Sequence, residues 1–111
     1  MNLGRSITEL SRMDGRVALV IGGAGHIGSV AASGLAELGS NLAIVDINEN
    51  RVRSISDEIR KTHGVEVLEL VADLESEDDV RSIAPTVIQH YGRLDVLVHL
   101  AAIVKIGRAH V

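Results

Sequence analysis

The chain has 111 residues, a formal net charge of −4, no cysteine and one aromatic residue, Tyr91. That length holds one domain or part of one, and the lack of cysteine excludes a disulfide framework, a thiolate zinc site and a cysteine nucleophile. A single aromatic and a mildly acidic balance argue against a nucleic-acid surface. No run reaches the ~18–20 apolar residues that span a bilayer. Met1 to Arg16 also lacks the apolar core of a secretory signal, so the sequence reads as cytoplasmic, without membrane or nucleic-acid partners.

Residues 1–14 form a polar extension. Leu3, Ile7 and Leu10 fall at helical spacing and Ser6-x-x-Glu9 fits a capping box, which leaves a short docking helix or a frayed terminus. Met13 is a candidate alternative start. The regular pattern begins at Gly15-Arg16, and the unbroken apolar run Val17 to Ile21 predicts a parallel strand buried on both faces. After the run Gly22-Gly23-Ala24-Gly25-His26-Ile27-Gly28, the residues Ile27, Val30, Ala31, Leu35 and Leu38 recur at helical spacing. They predict a helix with that inner face, ended by Gly39. Leu42 to Val45 is a second buried strand, ending at Asp46. Asn48 is placed to cap a helix whose inner face is Val52, Ile55 and Ile59 and which His63-Gly64 closes.

Val65 to Val71 reads as a third, more alternating strand that ends near Asp73. Ser76 can cap a further helix with Val80, Ile83, Ala84, Val87, Ile88 and Tyr91 on one face. Pro85 inside it predicts a kink or a split into two short helices, because an internal proline costs about 3 kcal/mol. Leu94 to Val104 supplies a fourth strand and the start of a loop. Strand and helix alternate with short turns, which predicts an α/β, Rossmann-like, doubly wound parallel sheet of order 3-2-1-4 over residues 15–105, truncated after the fourth strand.

The turn after the first strand carries the chemistry. Gly23-x-Gly25-x-x-Gly28 fits the dinucleotide fingerprint, and Gly22-x-x-Gly25-x-x-Gly28 fits a related spacing. Glycines there permit a tight turn, close approach of a pyrophosphate to the backbone, and close packing of helix on strand. The N–H groups near Ile27 then face the anion with the helix dipole behind them. The placement between a strand and an amphipathic helix is the context the fingerprint requires. Asp46, 18 residues beyond Gly28, can accept hydrogen bonds from both hydroxyls of an adenosine ribose. It would repel a 2′-phosphate, so NAD(H) is favoured over NADP(H). Arg51 and Arg53 lie close enough in sequence to blunt that preference, or serve only as solvated helix surface. His26 either touches a phosphate or faces solvent.

From about Asp14 to Val104 the chain resembles the N-terminal half of a short-chain dehydrogenase/reductase. The resemblance rests on Gly15-Arg16-Val17-Ala18-Leu19-Val20 leading into the glycine turn, Val45-Asp46, Ala72-Asp73-Leu74, and Tyr91-Gly92-Arg93-Leu94-Asp95-Val96-Leu97-Val98. It implies an NAD(P)-dependent oxidoreductase moving hydride to or from a carbonyl or alcohol, with Asp73 at the adenine ring and Leu74 beside it. Gly22, Gly23, Gly25, His26, Ile27, Gly28, Asp46, Ile47, Asp73, Leu74, Ala101 and Ala102 make up the expected cofactor-binding set. Two departures stand out. Ile21 replaces the Thr whose hydroxyl braces the glycine turn in that family. His99-Leu100-Ala101-Ala102 replaces the usual Asn-Asn-Ala-Gly, and that string is more typical of the extended branch, which holds sugar-nucleotide epimerases and dehydratases. The long third helix and the Tyr91-to-Asp95 junction favour the classical branch. A non-catalytic dinucleotide-binding sensor is the alternative of a different class.

The family's Tyr-x-x-x-Lys pair is missing: Asp95 stands four residues after Tyr91, and the only lysines are Lys61 and Lys105. The chain is therefore expected to have no catalytic residue and no turnover of its own, with Tyr91 a packing residue at the helix end. His26, His63, His90, His99 and His110 show no metal-ligand spacing, and His99 reads as a buried histidine in an apolar strand. Glu75, Glu77, Asp78 and Asp79 complement a helix dipole, so no metal is expected. The last six residues, Ile106 to Val111, read as the translation of a sequencing-library adapter, with the natural frame cut near Lys105. A longer form is expected to act on a small molecule and, by the resemblance, to form homo-oligomers.

Overall fold

Strands that are apolar on both sides need cover on both faces, and the chain supplies it by alternating helices across one sheet. In a computed structural model, which describes residues 6–100, the elements run α1 (Ile7–Leu10), β1 (Val17–Ile21), α2 (His26–Glu37), β2 (Asn41–Asp46), α3 (Glu49–His63), β3 (Val67–Val71), α4 (Glu77–Tyr91) and β4 (Val96–His99). The four strands form one parallel sheet in the order β3-β2-β1-β4. Leu19 registers against Ala43 on one side and Leu97 on the other, and Ile44 registers against Glu69. The predicted order 3-2-1-4 is the observed one.

Alternate side chains of β1 and β2 enter two separate cores. Ala18, Val20, Leu42 and Ile44 pack with Ala32, Ala36, Val52 and Ile59 from α2 and α3. Val17, Leu19, Ile21, Ala43 and Val45 pack on the other face with Ile83 and Val87 of α4. Each fully buried Val, Leu or Ile contributes about 1.5–3 kcal/mol. Tyr91 closes the second core from the end of α4, and its hydroxyl donates to Leu42 O at 2.7 Å, so its reading as a packing residue stands.

The helix boundaries follow their caps. Asn48 accepts Arg51 N and Gly64, in the left-handed region at φ 70°, closes α3. Ser76 accepts Asp79 N and Gly92 at φ 82° closes α4. Ser6 Oγ likewise accepts Glu9 N at 3.1 Å at the start of α1. Beyond it, Met13 N donates to Leu38 O at 2.8 Å and the Arg12 guanidinium reaches Glu37 O, so the approach to β1 is fastened to the end of α2.

Several expectations are corrected. The inner face of α2 is Gly28, Ala32 and Ala36, whereas Ile27 and Val30 are 68% and 64% exposed. Gly28 is pressed against the glycine turn, and residues four and eight further on then fall on the sheet. α4 is one helix from Glu77 to Tyr91 with Pro85 inside it, not two short ones. On that helix Val80 and Ile88 face outward. β3 begins at Val67, two residues later than expected, and β4 is confined to Val96–His99. His99 is exposed, not buried, because β4 is an edge strand whose side chains are covered on one face only. Ala101, Ala102 and the 106–111 tail lie outside the described residues.

Candidate functional site

The glycine turn is built onto the end of β2. Gly22, at φ 85°, donates its N–H to Val45 O at 2.8 Å, and Gly23 N donates to the same oxygen at 3.2 Å. A side chain at Gly23 would meet Ile44 Cγ2 at 2.8 Å and Val20 O at 3.0 Å. A side chain at Gly28 would collide with Gly22 O and lie 2.8 Å from Gly23 Cα. Two of the three reasons for glycine, the tight turn and the close packing of helix on strand, are thus met by observed contacts.

Gly25 is the N-cap of α2 and, having no side chain, makes no cap bond. The first-turn N–H groups of α2 thus receive no side-chain cap, at the positive end of the helix. His26 is the first residue of α2 and is exposed, as is Ile27.

Asp46 ends β2 and faces this turn. Its Oδ2 accepts Ala24 N at 3.2 Å and its Oδ1 accepts Ile47 N at 2.8 Å. A carboxylate offers about four acceptor positions, so two stay open for hydroxyl donors. The first of these bonds ties the glycine turn to the Asp46 carboxylate. Ile47 is exposed beside it.

Asp73 is brought to the same edge, since Ala72 N donates to Asp46 O at 3.1 Å. Its carboxylate accepts Glu75 N at 3.0 Å, and its own N–H is taken by Asp79 Oδ2 at 2.8 Å. Leu74 packs against the second core. Leu100, the last described residue, donates its N–H to Ile21 O at 3.0 Å, so the chain leaves β4 at this end of the sheet. The strand ends thus gather Gly22, Gly23, Gly25, His26, Ile27, Gly28, Asp46, Ile47, Asp73 and Leu74.

Two features went unread in the sequence. Asp79 was assigned to the helix dipole, yet it fixes the backbone of Asp73. The pattern Asp-x-x-Ser-x-x-Asp offers that bond, because a Ser cap sets its third residue beside the preceding turn. The other is a cleft beside the glycine turn, lined by Ala24, Gly25, His26, Ser29, Arg51, Ser54 and Ile55. Among the described residues no group of three or more His, Asp or Glu is arranged to hold a metal ion, and no helix is long and apolar enough to cross a membrane.

This is a Rossmann-like α/β architecture with a parallel sheet of order 3-2-1-4, and residues 16–110 match the short chain dehydrogenase family. The chain belongs to that family. It is 37% identical over 94 residues to a 12alpha-hydroxysteroid dehydrogenase of a Clostridium species, covering 79% of this chain and 36% of that protein. Among solved structures it resembles an NAD+-bound xylitol dehydrogenase (TM-score 0.72, 34% identity, 76% of this chain and 32% of the other). It also resembles the L-sorbose reductase of Gluconobacter frateurii complexed with NADPH and L-sorbose (TM-score 0.75, 26% identity, 78% and 33%). The chain spans about a third of each of these proteins.

Proposed function

We propose that this chain holds the adenosine-pyrophosphate half of NAD(H) for an oxidoreductase acting on a carbonyl or alcohol. The observation that carries the reading is the pairing of an uncapped α2 N-terminus with the Asp46 carboxylate, joined through Ala24 N. Gly23 and Gly28 press the turn against β1, β2 and α2, which leaves the exposed start of α2 at its surface, where a pyrophosphate suits the positive helix end, so the residues fit the group. Its phosphates would meet the N–H groups of His26, Ile27 and Gly28. The two open acceptor positions of Asp46 would take the ribose hydroxyls, and Asp73 with Leu74 would flank the adenine. When bound, a nicotinamide dinucleotide supplies or receives the hydride.

Asp46 also sets the choice of cofactor, because a 2′-phosphate beside it meets like charge. The dehydrogenase reading is favoured over the epimerase one by the relatives themselves, whose names are those of dehydrogenases and reductases. The substrate is a small molecule acted on by parts absent from these 111 residues, which hold no Tyr-x-x-x-Lys.

Titration of the chain with NADH and NADPH tests the reading in the wild type, Asp46→Asn and Asp46→Ala. Hydrogen bonds to a charged acceptor contribute about 1.5–3 kcal/mol each, so both variants are expected to weaken NADH and to narrow its advantage over NADPH. Unchanged selectivity in both variants removes Asp46 from this role. Substrate turnover by the 111-residue chain would contradict the expected lack of catalysis.

A further inference from the structure

β3 ends the sheet on one side, since among the described residues it pairs with β2 alone. At one end of that pairing Leu42 N donates to Glu66 O at 2.9 Å, and at the other Ala72 N donates to Asp46 O at 3.1 Å. Backbone groups alternate in direction along a strand, so Val67, Glu69 and Val71 turn their N–H and C=O groups to the open side. Such a row of free groups on a segment of strand formers is a template for another strand. Arg60, in the last turn of α3, reaches over it. Its Nη2 donates to Val67 O at 2.6 Å and lies 2.8 Å from Glu69 Oε2, while Nη1 donates to Asp57 Oδ1 at 3.0 Å. Val67 belongs to the core under α3, so Glu69, two residues on, points to the same helix-covered face. Glu69 registers against the fully buried Ile44, and Arg60 is its counter-ion.

We propose that Arg60 and Glu69 form a strap over this edge, which keeps β3 from pairing with β3 of a second copy of the chain. The strand itself points to that occupant: Val67-Leu68-Glu69-Leu70-Val71 reads the same in both directions. Two copies laid antiparallel about Glu69 set Val67 against Val71, Leu68 against Leu70 and Glu69 against Glu69. That is the self-complementary match a two-fold interface requires. The strap opposes it twice. Arg60 occupies the Val67 carbonyl, one of the groups turned to the open edge, and Glu69 places like charges directly opposite each other.

The test is sedimentation velocity of the 111-residue chain over a concentration series, with circular dichroism to follow the fold. The variants are Arg60→Met/Glu69→Thr, the same pair with Val71→Pro added, and Glu69→Gln. Removing both charges leaves neither one unpaired, so the double variant is expected to keep its fold. It is expected to associate at about a tenth of the concentration the wild type requires. Val71→Pro, which removes an outward N–H, is expected to restore the wild-type value. Association no stronger than in the wild type, or association that survives Val71→Pro, overturns the proposal. If the double variant unfolds, Glu69→Gln decides in its place, because it keeps an acceptor for Arg60 and removes only the like charge. It is expected to associate about threefold more strongly than the wild type, and an unchanged midpoint overturns the proposal.

Discussion

Asp95, just ahead of β4, accepts the backbone N–H of Val17, the first residue of β1, at 2.9 Å. The Arg93 guanidinium grips the same carboxylate through Nε and Nη2, each at 2.8 Å, and Arg16 lies 3.7 Å away. One side chain thus ties the start of the central strand to its neighbour across 78 residues. The Arg93 hydrogen bond, followed by the Val17 N–H, holds the Asp95 carboxyl below the usual carboxylate range. A depressed folded-state pKa gives stability that is complete above the ordinary carboxylate pKa and is lost as the pH falls through the folded one. The melting temperature of the wild type is therefore expected to exceed that of Asp95→Asn at neutral pH. The gap should close below about pH 4, as followed by circular dichroism melts across pH.

Tyr91 shows the opposite sign. Burial, and after it the Glu66 carboxylate, pushes its phenol up to about 12. The unfolded chain ionises first as pH rises, so the contribution of Tyr91 is intact below about pH 10 and disappears toward the folded value. As Tyr91 is the only tyrosine and there is no tryptophan, the phenolate absorbance reports this one group, and its midpoint is expected well above 10. Tyr91→Phe removes the bond to Leu42 O and is expected to cost about 0.5–1.5 kcal/mol in urea unfolding.

Two glycines of α2 should respond in opposite directions to alanine. At Gly28 the new methyl meets the backbone of Gly22 and Gly23, neither of which can rotate away. Gly28→Ala is expected to lose about 1–3 kcal/mol and the binding of adenosine nucleotides together. At Gly34 nothing lies within 4 Å of the added carbon, and Gly34→Ala in this exposed mid-helix position is expected to gain about 0.5–1 kcal/mol with nucleotide binding unaltered. Denaturant unfolding paired with nucleotide titration checks both.

Pro85 sits on the exposed side of α4 and supplies no N–H for the turn before it. Pro85→Ala restores that donor without adding bulk to the core, and is expected to raise stability by about 1–3 kcal/mol. No change in the urea midpoint would mean that α4 already accommodates the ring without loss.

The sheet order was legible in the sequence because β1 and β2 are unbroken apolar runs set between glycine and polar residues. The caps at Asn48, Ser76 and Gly64 were legible too, since each has a backbone conformation or side-chain acceptor that suits one position in a helix, whereas Gly92, which closes α4, was not read as a cap. The inner face of α2 was not. Hydrophobicity points to Ile27 and Val30, but close approach to the sheet selects residues by smallness, and Gly28, Ala32 and Ala36 win that contest. His99 was misread for a related reason: an apolar strand looks alike at the centre and at the edge of a sheet, and only the neighbour count of β4 separates them. At the candidate site the residue types were readable, but the bond from Ala24 N to Asp46, which joins the turn to the acid, was not, because it depends on how two strand ends are juxtaposed.

Val45 O and the Asp46 carboxylate between them hold the amides of Gly22, Gly23 and Ala24, so the first half of the glycine turn is bonded like strand. In deuterated solvent those three amides should exchange slowly even with no ligand present, whereas His26 and Ile27 should exchange fast. A nucleotide bound at the start of α2 would then leave its footprint as slowed exchange at the second pair alone, against a background the protein itself has already made quiet.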